Sequence, residues 1–96
     1  MESVIKSAKI VDKEEVLNMK FPDIEVLTDP ALISNRKTEL ERATTLGNTE
    51  HTKYKIVFAD EAGVKQVETT IWGLTDKRVI LKKGALIPIN RIFEIR

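Results

Sequence analysis

Residues 53–96 contain short apolar segments separated by tight turns, and this feature constrains the fold more than any other in the chain. Tyr54, Ile56 and Phe58 alternate with other side chains at the period of two that a β-strand requires. Residues 60–63 have the composition of a hairpin loop whose glycine takes the left-handed conformation. A longer strand is predicted over 64–74. The pattern therefore predicts an antiparallel β-meander.

The end of the meander departs from this alternation. Turns at 76–77 and 83–84 separate two more short strands, and Pro88, which cannot donate to a strand ladder, indicates a sheet edge or a bulge. The last apolar side chains lie three positions apart, at Ile89, Ile92 and Ile95. Because a flat strand cannot place this spacing on one face, we expect a bend or a 3₁₀ turn at 90–91. Such a bend would let the chain cross the sheet and close a small barrel.

One face of the predicted strands is apolar, and we expect it to form the core. The predicted core residues are Val67, Ile71, Val79, Leu81, Ile87 and Ile92. Trp72, the only tryptophan, lies where both faces of the long strand become apolar, which favours a position in the core or at its rim. In the other interpretation, Trp72 is exposed and its ring stacks on a nucleic-acid base or a proline-rich peptide. Trp72 is therefore the candidate aromatic contact for a partner.

The first 28 positions have a weaker pattern. Residues 1–11 are compatible with an edge strand or a loose arm. Asp12 and Glu15 have the spacing of a capping box, which predicts a short helix over 13–19. Alternation at 24–26 predicts a brief strand after this helix.

A second helix is predicted in residues 29–48. Asp29 is a favourable N-cap, and Pro30 suits the first helical position because its missing amide is not needed there. The apolar spacing supports a helix over about 36–46, with Gly47 and Asn48 as its C-terminal stop. Side chains in this window also alternate, so a strand is the alternative.

Charge is unevenly distributed along the chain. The net charge is +1, but basic side chains exceed acidic ones by four in residues 53–96, and acidic ones exceed basic ones by three in residues 1–52. Four cations flank one short predicted strand, where we expect them to share one end of the barrel: Lys77, Arg78, Lys82 and Lys83. Clustered cations bind phosphates, so these residues are a candidate polyanion site. A solvated, solubilising rim is the simpler interpretation.

The residues indicate no catalytic, metal or cofactor site. His51, the only histidine, lies in a polar stretch, and its simplest interpretation is a solvated loop side chain. Asp60, Glu61 and Asp76 lie in predicted turns, where carboxylates accept hydrogen bonds from nearby backbone amides. We therefore predict a protein that is not an enzyme and binds no cofactor.

Length and composition predict one cytoplasmic domain over residues 1–96. This length is sufficient for one hydrophobic core. The absence of cysteine is compatible with a reducing compartment. No signal-peptide pattern is present, and no apolar run reaches the ~18 residues needed to span a membrane.

The run VKQVETTIWGLTDKRVILKKGALIPINRIFEI, residues 64–95, resembles SH3-like and Sm-like barrels in its order of long strand, short hairpins, bend and last strand. Lys83-Gly84 is similar to the basic residue and glycine that precede the last Sm strand. The aspartate and asparagine of the Sm uracil site have no counterpart between Val64 and Leu81, so no RNA-binding residue is carried over. The segments TDKRVILKKG and IPINRI also resemble bacterial PH-like domains.

These observations predict an α+β fold, a small antiparallel SH3-like β-barrel of four to five strands with one or two short N-terminal helices. Residues 12–52 would form its helical or irregular half, and residues 53–96 its barrel. The function they favour is a non-catalytic interaction module that binds a protein partner or self-associates as a homo-oligomer through its terminal edge strand. Weak, sequence-independent nucleic-acid binding through the basic turns is the alternative. No membrane association is expected.

Overall fold

A computed structural model describes residues 7–96, which form an α+β fold. The α-helices and strands in chain order are β1 (Lys9–Val11), α1 (Lys13–Val16), α2 (Pro30–Glu50), β2 (Lys53–Asp60), β3 (Gly63–Leu74), β4 (Arg78–Leu81), β5 (Leu86–Pro88) and β6 (Ile92–Ile95). Two 3₁₀ helices, Lys82–Gly84 and Ile89–Arg91, connect β4 to β5 and β5 to β6. The second one confirms the predicted bend at 90–91.

The strands form one six-stranded open sheet. Five of them follow the order β5-β4-β3-β2-β6, and neighbours in this path are antiparallel. β1 lies outside the path and pairs with β3 in parallel, with Lys9 opposite Lys65. The predicted antiparallel meander is therefore confirmed, and β5 and β6 are the two ends of the sheet.

The long strand β3 joins the two halves of the sheet. Its residues 63–70 pair with β2, and residues 71–74 pair with β4. The register shifts between Ile71 and Gly73, so Trp72 is an extra residue on β3. Bulges of this kind bend and twist a strand. The bulge therefore lets β3 pair with β2 at one end and with β4 at the other.

The core lies between one face of the sheet and the helices. All six residues predicted for the core are completely buried, which confirms the predicted strand faces. β2 adds Ile56 and Phe58 to this cluster, and α2 adds Leu40 and Ala43. The ring of Phe21, from the segment after α1, lies 6.0 Å from the ring of Phe58. Both the helical half and the strands therefore contribute to one core.

The helix α2 is longer than the predicted 36–46 segment, and it rules out the strand interpretation. Its start is as predicted, because the Ala31 amide donates to the Asp29 carboxylate at 2.9 Å and Pro30 is the first helical residue. The helix therefore has additional turns at both ends. Packing against the sheet stabilises these turns, although their local sequence favours a helix only weakly.

The predicted helix stop at Gly47 and Asn48 is wrong. The helix continues to Glu50 and ends at His51, whose φ of 57° is left-handed and whose N–H donates to the Gly47 carbonyl at 3.1 Å. Gly47 is instead buried against β3, where a Cβ would overlap the carbonyl oxygen of Ile71. Glycine is therefore required at this position because the helix and strand backbones approach closely.

The segment before α2 differs from the prediction in two places. α1 ends at Val16 rather than at residue 19, although its start is fixed as predicted by the Asp12 N–H, which donates to the Glu15 carboxylate at 2.8 Å. Residues 24–26 form no strand. Their polar groups bind buried arginine side chains instead of a neighbouring strand, as described below.

The edge-strand interpretation of residues 1–11 is confirmed in part by β1. Val4 and Ile5, which belong to the same predicted segment, lie outside the described residues. Within residues 7–96, none of the helices has both the length and the apolar composition that crossing a membrane requires.

Candidate functional site

The four candidate cations do not lie together. Lys77 and Arg78 are at the beginning of β4, and Lys82 and Lys83 follow its end. Four strand residues span about 13 Å, so the prediction that these cations share one end of the fold is wrong. All four are exposed. Lys83 lies 3.9 Å from the Glu14 carboxylate, whereas the other three form no ion pair within residues 7–96.

Trp72 lies at the rim of the sheet, outside the core. Its side chain is 48% exposed, because the bulge in β3 turns it away from the face that carries Ile71. Ile71 pairs with Leu81, the residue before Lys82, so Trp72 lies toward the Lys82 end of β4. An exposed aromatic ring beside a basic turn can contact a partner.

Among residues 7–96, no strand pairs with the outer edge of β5. The Leu81 N–H donates to the Ala85 carbonyl at 2.8 Å, which shows that Ala85 points its backbone groups toward β4. The backbone N–H and carbonyl groups of successive residues in an antiparallel strand point alternately toward one neighbour and toward the other. The backbone groups of Leu86 and Pro88 therefore point away from β4. Leu86 presents an N–H and a carbonyl there. Pro88 presents only a carbonyl because it has no N–H.

A groove of about 390 Å³ lies beside β5, and we call it the β5 groove. Its wall on the sheet is formed by Arg78, Gly84, Leu86 and Pro88. Its other wall is formed by Val16, Leu17, Met19 and Phe21. Leu17 is 62% exposed and Leu86 is 45% exposed, so both walls of the groove carry exposed apolar surface. Of the residues in the described range 7–96, Arg78 is the only charged one that lines the groove.

The strand β6 ends the sheet on the opposite side. Lys55 and Arg96 exchange two backbone hydrogen bonds of 2.8 and 2.9 Å, so Ile95 points its N–H and carbonyl away from β2. At the other end of β6, Arg36 Nη1 donates to the Ile92 carbonyl at 3.0 Å and covers that part of the edge. The free edge of β6 is therefore centred on Ile95.

Arg36 is a buried cation that is already paired. It is 6% exposed and donates to both carboxylate oxygens of Glu25, with 2.7 Å from Nη1 to Oε2. These hydrogen bonds hold the pKa of Glu25 below its ordinary value, although burial acts in the opposite direction. The Nε of Arg36 is buried without a hydrogen-bond partner among residues 7–96. Arg36 therefore fixes residue 25 to α2 and to β6.

Arg91 has a similar role on the other side of the same segment. Its Nε donates to the Ala59 carbonyl at 3.0 Å, and its Nη1 donates to the Ile24 carbonyl at 2.8 Å. The Val26 N–H also donates to the Asn90 carbonyl at 2.9 Å. These contacts explain why residues 24–26 are ordered without forming a strand.

Two clefts, of about 590 and 440 Å³, meet at Arg36, Asp76 and Ile89. Arg36 is neutralised by Glu25. The other charged side chains that residues 7–96 contribute to the larger cleft are two cations and two carboxylates: Lys77, Arg78, Asp23 and Asp76. The walls of this cleft therefore do not favour an anion by net charge.

Asp60 stabilises the hairpin between β2 and β3. It is 8% exposed and accepts hydrogen bonds from the amides of Ala62 and Gly63, each at 3.0 Å, and from Lys65 Nζ at 2.8 Å. Burial raises the pKa of the Asp60 carboxyl, but the hydrogen bonds together lower this pKa by more than burial raises it. The pKa of Asp60 therefore lies below its ordinary value. This carboxylate has the predicted structural role in the turn.

The structure also places His51. It ends α2, and its carbonyl accepts a hydrogen bond from Thr70 Oγ1 at 3.4 Å. Among residues 7–96, no three histidine, aspartate or glutamate side chains converge as a metal site.

The buried arginines and the β5 groove were not predicted from the sequence. One signal was readable for Arg36, because it lies four positions before Leu40 and therefore on the same face of a helix. Leu17, in contrast, gives no local sign that it lines a groove. No protein-family model, curated protein or solved structure matches this chain.

Proposed function

We propose that the chain is a non-catalytic interaction module that self-associates through β6. The observation that carries this proposal is the backbone of Ile95 at one end of the sheet, which has no hydrogen-bond partner among residues 7–96. Unpaired strand edges pair readily with a strand of another molecule. When the same edge of two copies pairs, the result is a twofold dimer.

The charges around Ile95 support an antiparallel register centred on this residue. In that register the two Ile95 residues exchange backbone hydrogen bonds, and Glu94 of each copy lies opposite Arg96 of the other. Within one copy the two side chains form an ion pair of 3.7 Å and are 36% and 52% exposed. Each opposite-charge pair across two strands contributes about 0.2–1 kcal/mol. Both pairs therefore favour this dimer.

Sedimentation velocity with a charge exchange tests the proposal. The wild-type sedimentation coefficient should rise with concentration up to about 1 mM, the range in which weak complexes form. Glu94→Arg should weaken the dimer, because it places two arginines opposite each other on each side of the dimer axis. Glu94→Arg combined with Arg96→Glu restores the opposite-charge pairs and should restore the dimer. A wild type that stays monomeric, or a double variant no stronger than the single one, contradicts the proposal.

We further propose that the sheet is a partly closed, SH3-like barrel. The order β5-β4-β3-β2-β6, the bulge in β3 and the 3₁₀ helix before β6 support this interpretation. A crystal structure in which the five strands wrap around the core would support it, and a flat sheet would contradict it.

A second candidate function is weak polyanion binding through the exposed cations at the two ends of β4. Its support is that Lys77, Arg78 and Lys82 have no ion pair within residues 7–96. If two phosphates of a single strand contact one end of β4, the logarithm of the binding constant should fall with the logarithm of the salt concentration with a slope of about −1.4. Contacts at both ends of β4 should give a slope of about −3.

Titration of labelled single-stranded RNA and DNA at low salt distinguishes the two ends of β4. Lys82→Glu with Lys83→Glu should reduce the slope only if that end binds, and Lys77→Glu with Arg78→Glu provides the matched test at the other end. No binding at about 100 µM protein, or binding unchanged in both double variants, would exclude this function.

A further inference from the structure

We propose that the β5 groove binds an extended, acidic peptide segment that adds a strand to the outer edge of β5. This inference rests on the proposed interaction-module function and identifies the chemistry of a second partner. Three features of the described part of the chain support it: an outer strand edge that no other strand pairs with, an apolar surface beside that edge, and the cation Arg78, which forms no ion pair there.

The backbone of β5 determines how much of a strand can be added. Leu86 offers one donor and one acceptor, and Pro88 offers one acceptor, so an incoming strand makes three backbone hydrogen bonds. Because Pro88 lacks an N–H, the ladder cannot continue with full pairing past this position. The edge therefore suits a short extended segment.

The groove determines the apolar position of that segment. Leu86 and Pro88, which both line the groove, lie on either side of the buried Ile87 along β5, so their side chains project on the face opposite to that of Ile87. Every second side chain of an added strand would project on the same face. The residue opposite Leu86 would therefore lie near Leu17 and cover apolar surface that is now exposed.

Arg78 determines the acidic position. It lies opposite Pro88 on β4, is exposed, and forms no ion pair within residues 7–96. A residue that pairs with Pro88 on the added strand would lie two strand spacings from Arg78, about 10 Å between Cα atoms. The long side chains of arginine and glutamate can meet across this distance. The exposed Lys82, which precedes β5 and forms no ion pair within residues 7–96, adds to the preference for an acidic segment.

Together these positions give a sequence pattern for the ligand. In an antiparallel strand, the residue opposite Pro88 comes two positions before the residue opposite Leu86. The pattern is therefore an acidic residue, any residue and an apolar residue, in that order. An ion pair and three backbone hydrogen bonds would give a dissociation constant between about 10 µM and 1 mM.

The probe is a blocked, fluorescein-labelled peptide of threonine and serine that carries one glutamate and, two positions later, one valine. Fluorescence anisotropy measures its affinity, and ¹⁵N–¹H correlation spectra should show the Leu86 amide among the most shifted signals. Replacing the glutamate by glutamine should weaken binding about threefold to tenfold, which corresponds to ~0.7–1.4 kcal/mol. A peptide in which glutamate and valine are adjacent should bind as weakly as the glutamine peptide, because these two side chains then project on opposite faces of the added strand.

Two variants test the assigned contacts. Arg78→Gln should remove the difference between the glutamate and glutamine peptides, whose affinities would then agree within about twofold. Leu86→Pro should reduce binding more than about tenfold, because it deletes the outward N–H. The Leu86→Pro substitution keeps the hydrogen bonds between β4 and β5, because the Leu86 N–H points away from β4. Ala85, with φ −66° and ψ 143°, has a backbone conformation that is compatible with a following proline. Leu86→Ala, which keeps the N–H, is the matched control, and urea unfolding verifies that each variant folds.

The inference is overturned if a folded Leu86→Pro variant binds like wild type, or if Arg78→Gln keeps the difference between the two peptides. Failure of either proposal can be recognised separately. A monomer that binds the peptide refutes only the β6 dimer, and a dimer that does not bind the peptide at about 1 mM refutes only this inference. Tighter peptide binding by Glu94→Arg would show that β6 of a second copy occupies the groove, which overturns the acidic peptide as its occupant.

Discussion

Gly47→Ala tests the close approach of α2 to the sheet. The substitution adds one methyl group at a buried helical position, where alanine normally stabilises a helix by about 1 kcal/mol relative to glycine. Here the methyl group would overlap the carbonyl oxygen of Ile71 and lie 3.3 Å from Thr70 Cγ2. Because the carbonyl belongs to a paired strand, it cannot rotate away. The helix must therefore move outward by roughly 1 Å to restore an ordinary contact distance.

This movement has a cost that exceeds the gain in helix propensity. Insertion of a methyl group into a well-packed site costs about 1–3 kcal/mol. The shift also loosens Leu40 and Ala43, which lie in the core on the same helix. With the gain of about 1 kcal/mol subtracted, we expect a net loss of up to about 2 kcal/mol, or a melting temperature lower by up to about 16 °C for a domain of this size.

Urea unfolding measured by Trp72 fluorescence and by far-ultraviolet circular dichroism gives the free energy of unfolding. Asn48→Ala is the matched control, since Asn48 is exposed, belongs to the same helix, and gains only propensity, a few tenths of a kcal/mol. A Gly47→Ala variant as stable as wild type, beside an Asn48→Ala variant that behaves as expected, would refute the close approach of helix and strand.

Three other substitutions test the core and the buried charges. Ile71→Ala should lower the free energy of unfolding by about 2–5 kcal/mol, because Ile71 is completely buried, and an unchanged urea midpoint would contradict its assigned position. Since hydrogen bonds from Arg36 lower the pKa of Glu25 from 4.5, its carboxylate stabilises the fold above that pH, and this contribution is lost as the pH falls through the lowered value. Glu25→Gln should therefore flatten the decrease in urea midpoint below pH 4.5, and an unchanged pH dependence would show that the ion pair contributes nothing. Asp60→Asn should cost about 1–2 kcal/mol, because it replaces a charged acceptor of the Lys65 ammonium by a neutral one, and equal stability at neutral pH would contradict this role.

The strands and the core could be predicted from the sequence because their signals are local. Alternation over 53–60 and 63–74 fixes which side chains share a face, and the turns between strands fix which strands are neighbours. The bend at 90–91 was readable for the same reason, since three isoleucines at a spacing of three cannot lie on one face of a flat strand.

The remaining features depend on contacts between distant residues. Gly47 has the composition of a helix stop, but its contact with Ile71 on β3 requires glycine inside the helix. Residues 24–26 have the alternation of a strand, but Arg36 and Arg91 bind their polar groups. The β5 groove combines α1 with a strand about seventy positions later, so no local pattern indicates it.

The parallel strand β1 has a consequence for how the fold opens. It has three residues, pairs with positions more than fifty residues later, and leaves Ile10 77% exposed. A short strand with few buried contacts detaches at a lower free energy than the rest of a domain. We expect the β1 amides to exchange hydrogen for deuterium before those of β2. Each such opening uncovers residues 65–67 in the first half of β3, where β1 of another copy could dock in its place. This is a route to domain exchange that leaves β5 and β6 unchanged.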